Sequence, residues 1–196
     1  MQVAGCKTSS IAPGPVGSAR RAPKGALVAL APLDPADAPA WERWLNDPVT
    51  TRYLYGRRGP PDSVATLSEL RSWGRQALAD PHLVAFGIEE VDAGLVIGNA
   101  RLQLWAWSRA RFSILIGEAA HRGSGQGTEA TALVCRYAFE RLGVREIVLD
   151  VDQRNAAAVR AYLKVGFVPG RGDSMRLRPE GLRYTTAGAE RRSMGS

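Results

Sequence analysis

The sequence is poor in the residues that build metal centres and disulfide frameworks. Its 196 residues include two cysteines, Cys6 and Cys135, and two histidines, His82 and His121. Two distant cysteines cannot form a disulfide framework, and these four residues lack the spacing of a zinc site. We therefore predict that no metal takes part in the function and that the protein works in a reducing, cytoplasmic compartment.

Long apolar runs are also lacking. No stretch approaches the roughly 18 uninterrupted apolar residues of a membrane-spanning helix, although 45% of the residues are hydrophobic. Together with 23% charged residues, this composition is typical of one soluble globular domain. The sequence therefore predicts that the protein has no membrane partner.

The net charge of +7 is concentrated at the two ends of the chain. Residues 1–26 carry +4 and residues 181–196 carry +2, which leaves +1 for residues 27–180. A nearly neutral folded part is a poor electrostatic footprint for nucleic acid, so we predict no nucleic-acid partner. The alternative, binding through the basic tails, predicts salt-sensitive binding that disappears when residues 1–26 are deleted.

Composition divides the chain into one domain and two tails. Residues 1–25 are rich in Pro, Gly, Ala and Ser without periodicity, which predicts a disordered tail. We expect one domain over residues 26–186 and a C-terminal tail over residues 187–196.

Apolar periodicity in this domain alternates between strand and helix patterns. Strands are predicted at 26–33, 111–117, 145–152 and from Phe167, and hairpins at 83–105 and 174–186, the second turning at "PEG". Helices are predicted at 35–48, ended by Pro48; at 62–78, capped by Asp62 or Ser63; at 128–142; and at 155–164. Strands with helices between them predict an α/β or α+β sheet protein.

The stretch "ILIGEAAHRGSGQGTEA", residues 114–130, places three glycines between a strand and a helix. Exposed N–H groups at a helix N-terminus bind anions well, so this loop predicts a phosphate site. A P-loop is excluded because no Lys-Ser or Lys-Thr follows the glycines, and a dinucleotide fingerprint fails because its third glycine would be Thr128. The remaining pattern is R-x-x-G-x-G, and a plain structural turn is its alternative explanation.

Two motifs together suggest a family. Arg122-Gly123-Ser124-Gly125-Gln126-Gly127 is followed by Asn155, Tyr162, Gly166 and Phe167 in an N-x6-Y-x3-G-F pattern. The sequence resembles, over about residues 27–185, the GNAT superfamily of acetyl-CoA-dependent N-acetyltransferases. The likeness is to the branch that contains ribosomal-protein N-terminal, polyamine and amino-sugar acetyltransferases. It implies an α+β fold with a central mixed, mostly antiparallel sheet, helices on both faces, and strands 112–117 and 145–152 splayed apart.

The resemblance also implies how acetyl-CoA, the co-substrate, is held. Backbone N–H groups from Arg122 through Gly123, Ser124, Gly125, Gln126 and Gly127 would cradle its pyrophosphate. Leu115, Ile116 and Gly117 would hydrogen-bond the pantetheine as if it were an added strand. The loop departs from many relatives in carrying Ser124 where they have Lys or Arg, which removes one cation near the phosphates.

Asn155 and Tyr162 are seven residues apart, which places them on one face of a helix. In the resembled family the matching Asn orders CoA and the matching Tyr is the general acid for the departing thiolate. A tyrosine with a pKa near 10 is protonated at neutral pH and can donate. The alternatives are a helix N-cap for Asn155 and a packed core residue for Tyr162.

The sequence evidence for the general base is less specific than that for the general acid. The attacking amine must lose a proton, and Glu118 is the best-placed carboxylate because it follows the cofactor strand directly. A solvated turn residue and a water chain are the alternatives. Glu129, in the first helical turn, is expected to complement the helix dipole.

The predicted function is therefore transfer of an acetyl group from acetyl-CoA to a primary amine, with no metal or covalent intermediate. The segments expected to bind the acceptor are rich in arginine rather than acid, which favours a small amino sugar or amino-acid-like metabolite over a polyamine. The acceptor segments contain Arg52, Arg57, Arg58, Arg71, Arg109 and Arg111. A protein N-terminus is the alternative acceptor, and a non-catalytic acyl-CoA-binding domain is the alternative from another class. The protein is expected to be a monomer or a homodimer.

Overall fold

The computed structural model describes residues 23–54, 64–105 and 108–183. Seven strands form one sheet in the order β1-β2-β3-β4-β5-β7-β6. The strands are β1 (Val28–Pro32), β2 (Leu83–Glu90), β3 (Val96–Trp105), β4 (Arg109–Ile116), β5 (Glu146–Asp150), β6 (Val168–Pro169) and β7 (Ser174–Leu177). The α-helices are α1 (Ala38–Leu45), α2 (Pro48–Thr51), α3 (Leu67–Ala79), α4 (Gln126–Arg141) and α5 (Ala156–Val165).

The sheet is mixed and mostly antiparallel. Five of its neighbouring strand pairs are antiparallel, and the β4–β5 pair is parallel. Two parallel neighbours need a crossover connection, and α4 lies in the connection between β4 and β5. The predicted sheet type is confirmed.

The two faces of the sheet carry separate apolar clusters. On one face, α4 and α5 pack against alternate residues of β2, β3 and β4, including Phe86, Leu102 and Phe112. On the opposite face, α1 and α3 pack over Ala85 and Leu115. Side chains of a strand alternate between faces, so each central strand contributes to both clusters. The prediction of helices on both faces is confirmed.

Several element ends differ from the sequence prediction. The first helix ends at Leu45, and Pro48 begins α2, since a proline fits the first turn, where no N–H donor is needed. Helix α3 is capped by Thr66, whose side chain accepts from the Glu69 N–H in a reciprocal capping box. The predicted caps Asp62 and Ser63 lie outside the described residues.

The end of the domain also differs. Residues Pro179–Gly181 form a short 3₁₀ turn rather than a hairpin turn, and β7 pairs with β5 and β6 instead. Pro23 and Gly25 already belong to a turn that leads into β1, through Leu30 N–H to Pro23 O and Gly25 N–H to Val28 O hydrogen bonds of 2.8 Å each. The predicted tails over residues 1–22 and 187–196 lie outside the described residues.

Candidate active site

Strands β4 and β5 separate at the centre of the sheet. Their parallel register extends only from Arg109 and Glu146 to Arg111 and Val148. Beyond these residues β4 continues to Ile116 on β3 alone. The predicted splay at 112–117 is therefore present, and it leaves the β5-facing backbone of β4 without a strand partner.

The backbone exposed in this gap alternates along β4. The Leu115 carbonyl lies on the β3 side, since a Cβ atom on Gly98 would be 2.2 Å from it. Strand alternation therefore turns the backbone groups of Ile114 and Ile116 towards the gap. The Ile116 and Gly117 carbonyls are already bonded to Arg122, at 3.0 and 2.6 Å.

The glycine loop presents a run of free donors. Among the described residues, the backbone N–H groups of Gly123, Ser124, Gly125, Gln126 and Gly127 find no acceptor. Gly123 and Gly125 have φ values of +81° and +99°, a backbone conformation that side chains disfavour. Helix α4 begins immediately after Gly125, so its dipole points at the same place. Five consecutive N–H groups at a helix N-terminus suit a multiply charged anion.

Arg122 serves the loop through its side chain. Its guanidinium donates to the Ile116 and Gly117 carbonyls and, at 2.7 Å, to Thr50 Oγ1. Its own N–H donates to the Ala119 carbonyl at 3.2 Å, so the free run begins at Gly123 rather than at Arg122. Arg122 therefore ties the loop to the end of β4 and to α2.

Side chains within the loop hold one another. Ser124 Oγ donates to the His121 carbonyl at 3.1 Å and contacts the Gln126 amide oxygen closely. The Gln126 amide nitrogen lies 3.1 Å from His121 Nδ1. These contacts turn the polar side chains towards each other and leave the backbone donors exposed.

Asn155 caps α5. Its side-chain oxygen accepts from the Ala158 N–H at 3.2 Å, so the capping interpretation is realised in this structure. Its amide nitrogen makes no hydrogen bond to the described residues.

Tyr162 lies two turns further along α5 and is 8% exposed. Its ring is edge-on to Phe112, with centroids 6.4 Å apart, and 5.6 Å from Phe167. Phe112 is the first β4 residue beyond the β5 pairing, so this tyrosine packs where the strands part. Burial, with a smaller contribution from Cys135, raises the pKa of Tyr162 to about 12.

Glu118 is held by α1. One carboxylate oxygen accepts from Arg43 Nη2 at 2.8 Å and from Trp44 Nε1 at 2.9 Å. The Trp44 ring lies directly over Gly117, where a Cβ atom would be 1.9 Å from the indole. The Glu118 side chain is 29% exposed, so it is a partly exposed carboxylate fixed at the end of β4.

A cavity of about 360 Å³ lies between β3, β4, α1 and α3. Its volume falls within the range of about 300–1,000 Å³ typical of small-molecule sites. The described residues of its lining are aromatic and aliphatic, with three polar side chains among them: Trp41, Leu45, Leu54, Leu70, Trp73, Asn99, Arg101, Ser113, Ile114 and Leu115. The sequence patterns did not identify Trp41, Asn99, Arg101 or Ser113 as residues of such a cavity. Strand alternation alone could have placed Asn99 and Arg101 on one face.

Glu129 makes contacts that the sequence analysis did not predict. Its carboxylate is 2% exposed and accepts the N–H groups of Ala26, Leu27 and Val28 at 3.0, 2.6 and 2.9 Å. The expected role with the helix dipole therefore understates it: Glu129 anchors the segment that precedes and begins β1. The Leu27 side chain in turn lies 3.4 Å from the position of a Cβ on Gly125.

The family follows from comparison with known proteins. A family model described as "Acetyltransferase (GNAT) domain" matches residues 28–168. The chain therefore belongs to the GNAT family and is an acetyl-CoA-dependent N-acetyltransferase. This confirms the resemblance stated from the two motifs.

Solved structures share the fold. Spermidine N-acetyltransferase from Vibrio cholerae, in complex with CoA and spermine, has a TM-score of 0.67 at 22% identity, over 79% of this chain and 97% of that one. An aminoglycoside acetyltransferase in complex with coenzyme A has a TM-score of 0.64 at 19% sequence identity. This match covers 79% of this chain and 96% of that one. A GNAT-family acetyltransferase from Bacillus anthracis has a TM-score of 0.65 at 13% sequence identity. This match covers 80% of this chain and 98% of that one.

No α-helix in the described part of the chain is long and apolar enough to cross a membrane.

Proposed function

We propose that this N-acetyltransferase acts on the primary amine of a small molecule such as an amino sugar or an amino-acid-like metabolite. The observation that carries the proposal is the cavity of about 360 Å³ against β4. Its wall includes Ser113 and Ile114, which follow the point where β4 and β5 part. A bounded, aromatic-lined space beside the splay suits a compact acceptor.

Acetyl-CoA fits the groups on the other part of the site. The five free N–H groups from Gly123 to Gly127 are proposed to bind its pyrophosphate, and a Cβ on Gly123 would meet nothing within 4 Å, which shows open space there. The gap-facing backbone of Ile114 and Ile116 is proposed to bind the pantetheine arm. Leu115, which the resemblance also implied, faces β3 instead, and the Gly117 N–H already donates to the Ile97 carbonyl at 2.8 Å. Asn155, which also caps α5, is proposed to order CoA through its free amide nitrogen. The thioester supplies the activated acetyl group.

Tyr162 is proposed as the proton donor to the departing sulfur. With a pKa of about 12, its phenol is neutral over the physiological range. A free thiol has a pKa of about 8.5, so complete proton transfer from this phenol to a thiolate is uphill. We therefore infer that Tyr162 first stabilises the developing charge through a hydrogen bond, which strengthens as the carbon–sulfur bond breaks.

Glu118 is proposed as the group that takes the proton from the amine. Its second carboxylate oxygen accepts no hydrogen bond from the described residues. Arg43 and Trp44 fix the carboxylate from the α1 side, so that oxygen is the one available to a water or to the acceptor.

Purified protein should be incubated with acetyl-CoA and a panel of amino sugars, amino acids, polyamines and short peptides, with release of free thiol as the readout. We expect thiol release with small amines and much less with peptides. Release with peptides alone would replace the proposal with N-terminal acetylation of proteins. Release with none of them, while CoA still binds, would refute it.

A further inference from the structure

Among the described residues that line the cavity, Arg101 is the one with a charged side chain. It lies on β3, opposite Ala85 on β2 and Ser113 on β4. Its Nε donates to Ser113 Oγ at 2.8 Å. This bond orients the guanidinium and leaves its two terminal nitrogens available.

No acidic side chain of the described residues pairs with Arg101. The ion pairs found there involve other arginines, and none of the described residues that line the cavity is Asp or Glu. An arginine held in place without a carboxylate partner suits a ligand that brings its own, because a guanidinium pairs with a carboxylate through two parallel hydrogen bonds.

The other polar side chains among the described residues of the wall are Asn99 and Ser113. The Asn99 side-chain amide offers two N–H donors and one carbonyl acceptor. The Ser113 hydroxyl accepts from Arg101 and keeps its own proton to donate. A donor-rich wall disfavours a cationic polyamine and favours an acceptor-rich ligand group.

The rest of the wall is apolar. Trp41 and Trp73 are edge-on, with ring centroids 5.5 Å apart, and Leu45, Leu54 and Leu70 complete this side. Such a surface binds an aliphatic or aromatic side chain better than a polyhydroxylated ring.

We propose that the acceptor is an amino acid with a free carboxylate and an apolar side chain, and that Arg101 is the residue that binds its carboxylate. The apolar side chain occupies the space beside Trp41 and Trp73, and the amine is directed towards the splay of β4. This inference rests on the proposed function and narrows it from small amines to carboxylated, apolar ones.

The test uses matched pairs of acceptors that differ only in the carboxylate: phenylalanine with phenethylamine, and leucine with isopentylamine. Glucosamine and a Phe-initiated peptide complete the panel. For the wild type we expect kcat/KM about 10–100-fold higher with the amino acid than with its decarboxylated partner, the range of a charge-assisted hydrogen bond.

Arg101→Gln should remove that preference by lowering kcat/KM for the amino acids alone. Arg101→Lys should restore part of it, because lysine keeps the charge and loses the bidentate geometry. Arg160→Gln, which removes an exposed arginine on α5, is the matched control and should behave as the wild type.

Equal or faster acetylation of the decarboxylated amines by the wild type would overturn the inference and leave the proposed function standing. The same holds for glucosamine as the best acceptor, or for Arg101→Gln lowering both members of each pair equally. Acetylation of the peptide alone would refute the proposed function, and the inference with it.

Discussion

Tyr162 combines burial with a position at the parting of the strands, so its hydroxyl is the most informative single group to remove. Tyr162→Phe keeps the ring contacts with Phe112 and Phe167 and loses only the donor. We expect the turnover number to fall by about 10²–10⁴, while the Michaelis constant for acetyl-CoA changes little, because the lost interaction belongs to the transition state. Steady-state thiol release measures both.

Tyr137→Phe is the matched control, since Tyr137 makes a comparable edge-on ring contact with Phe86, at 5.3 Å. Near-normal turnover of Tyr162→Phe, under conditions where chemistry limits the rate, would refute the proposed role of the hydroxyl.

The same residue makes an alkaline prediction about stability. The pKa of Tyr162 is raised by burial from 10.0 to about 12 in the folded protein. As pH rises through this interval, the unfolded chain releases a proton that the folded chain retains. The free energy of unfolding should therefore fall, by about 2–3 kcal/mol for a shift of this size.

Urea unfolding as a function of pH, in the wild type and in Tyr162→Phe, isolates this contribution from the other titrating groups. Between pH 10 and pH 12 the free energy of unfolding of the wild type should fall. The fall should be smaller in Tyr162→Phe, which has no phenol at this position. Parallel pH profiles would contradict the assignment, and tyrosinate absorbance provides an independent reading of the pKa.

At the scale of elements, the junction between β4 and α4 is the part proposed to bind the cofactor. Gly125→Val adds a side chain next to the five free N–H groups and within 3.4 Å of Leu27. We expect the dissociation constant for CoA to rise by at least about tenfold, since the donors are obstructed and φ is +99° at this position.

Gly143→Val is the control for backbone strain at the other end of α4. Gly143 also has positive φ, +66°, with nothing within 4 Å of a Cβ. Both variants should lose about 1–2 kcal/mol of stability, and only Gly125→Val should lose CoA affinity, as measured by calorimetry. An equal effect on affinity would mean that general destabilisation, and not obstruction, is responsible.

The anchoring of β1 to α4 is a second element-scale feature. Glu129→Gln replaces a buried carboxylate that accepts three N–H groups with an amide that places donors against donors. We expect the free energy of unfolding to fall by about 2–4 kcal/mol, with faster amide exchange at Ala26–Val28. Glu140→Gln, at an exposed position of the same helix, should be neutral. Unchanged stability and exchange in Glu129→Gln would show that the three hydrogen bonds contribute little.

For the whole molecule, the proposed cofactor site and the proposed acceptor site differ in how their residues are distributed along the sequence. The free donors of the cofactor side lie in one continuous loop, from Gly123 to Gly127. The cavity proposed for the acceptor has a wall that includes residues of α1, α3, β3 and β4, together with Leu54 after α2. Among the described lining residues, Ser113, Ile114 and Leu115 are consecutive in sequence and the others are separated from one another.

The sequence by itself therefore determined what depends on local backbone chemistry. Gly123 and Gly125 predicted a loop with exposed donors because glycine tolerates positive φ. Both of these glycines have positive φ in the structure, and so does Gly166 of the second motif. The Asn155–Tyr162 spacing predicted one helix face, and with the glycine loop it was enough to reveal the family.

Only the tertiary structure decided the contacts between residues that are distant along the chain. Glu129 bonds backbone groups about 100 positions away, and Glu118 is held by Trp44 across 74 positions. The role proposed for Arg101 depends on its hydrogen bond to Ser113 on the next strand and on the aromatic rings of two helices that line the same cavity. Periodicity assigns a residue to a face of its own element, whereas the partner across that face is fixed by the packing of whole elements, which no local pattern encodes.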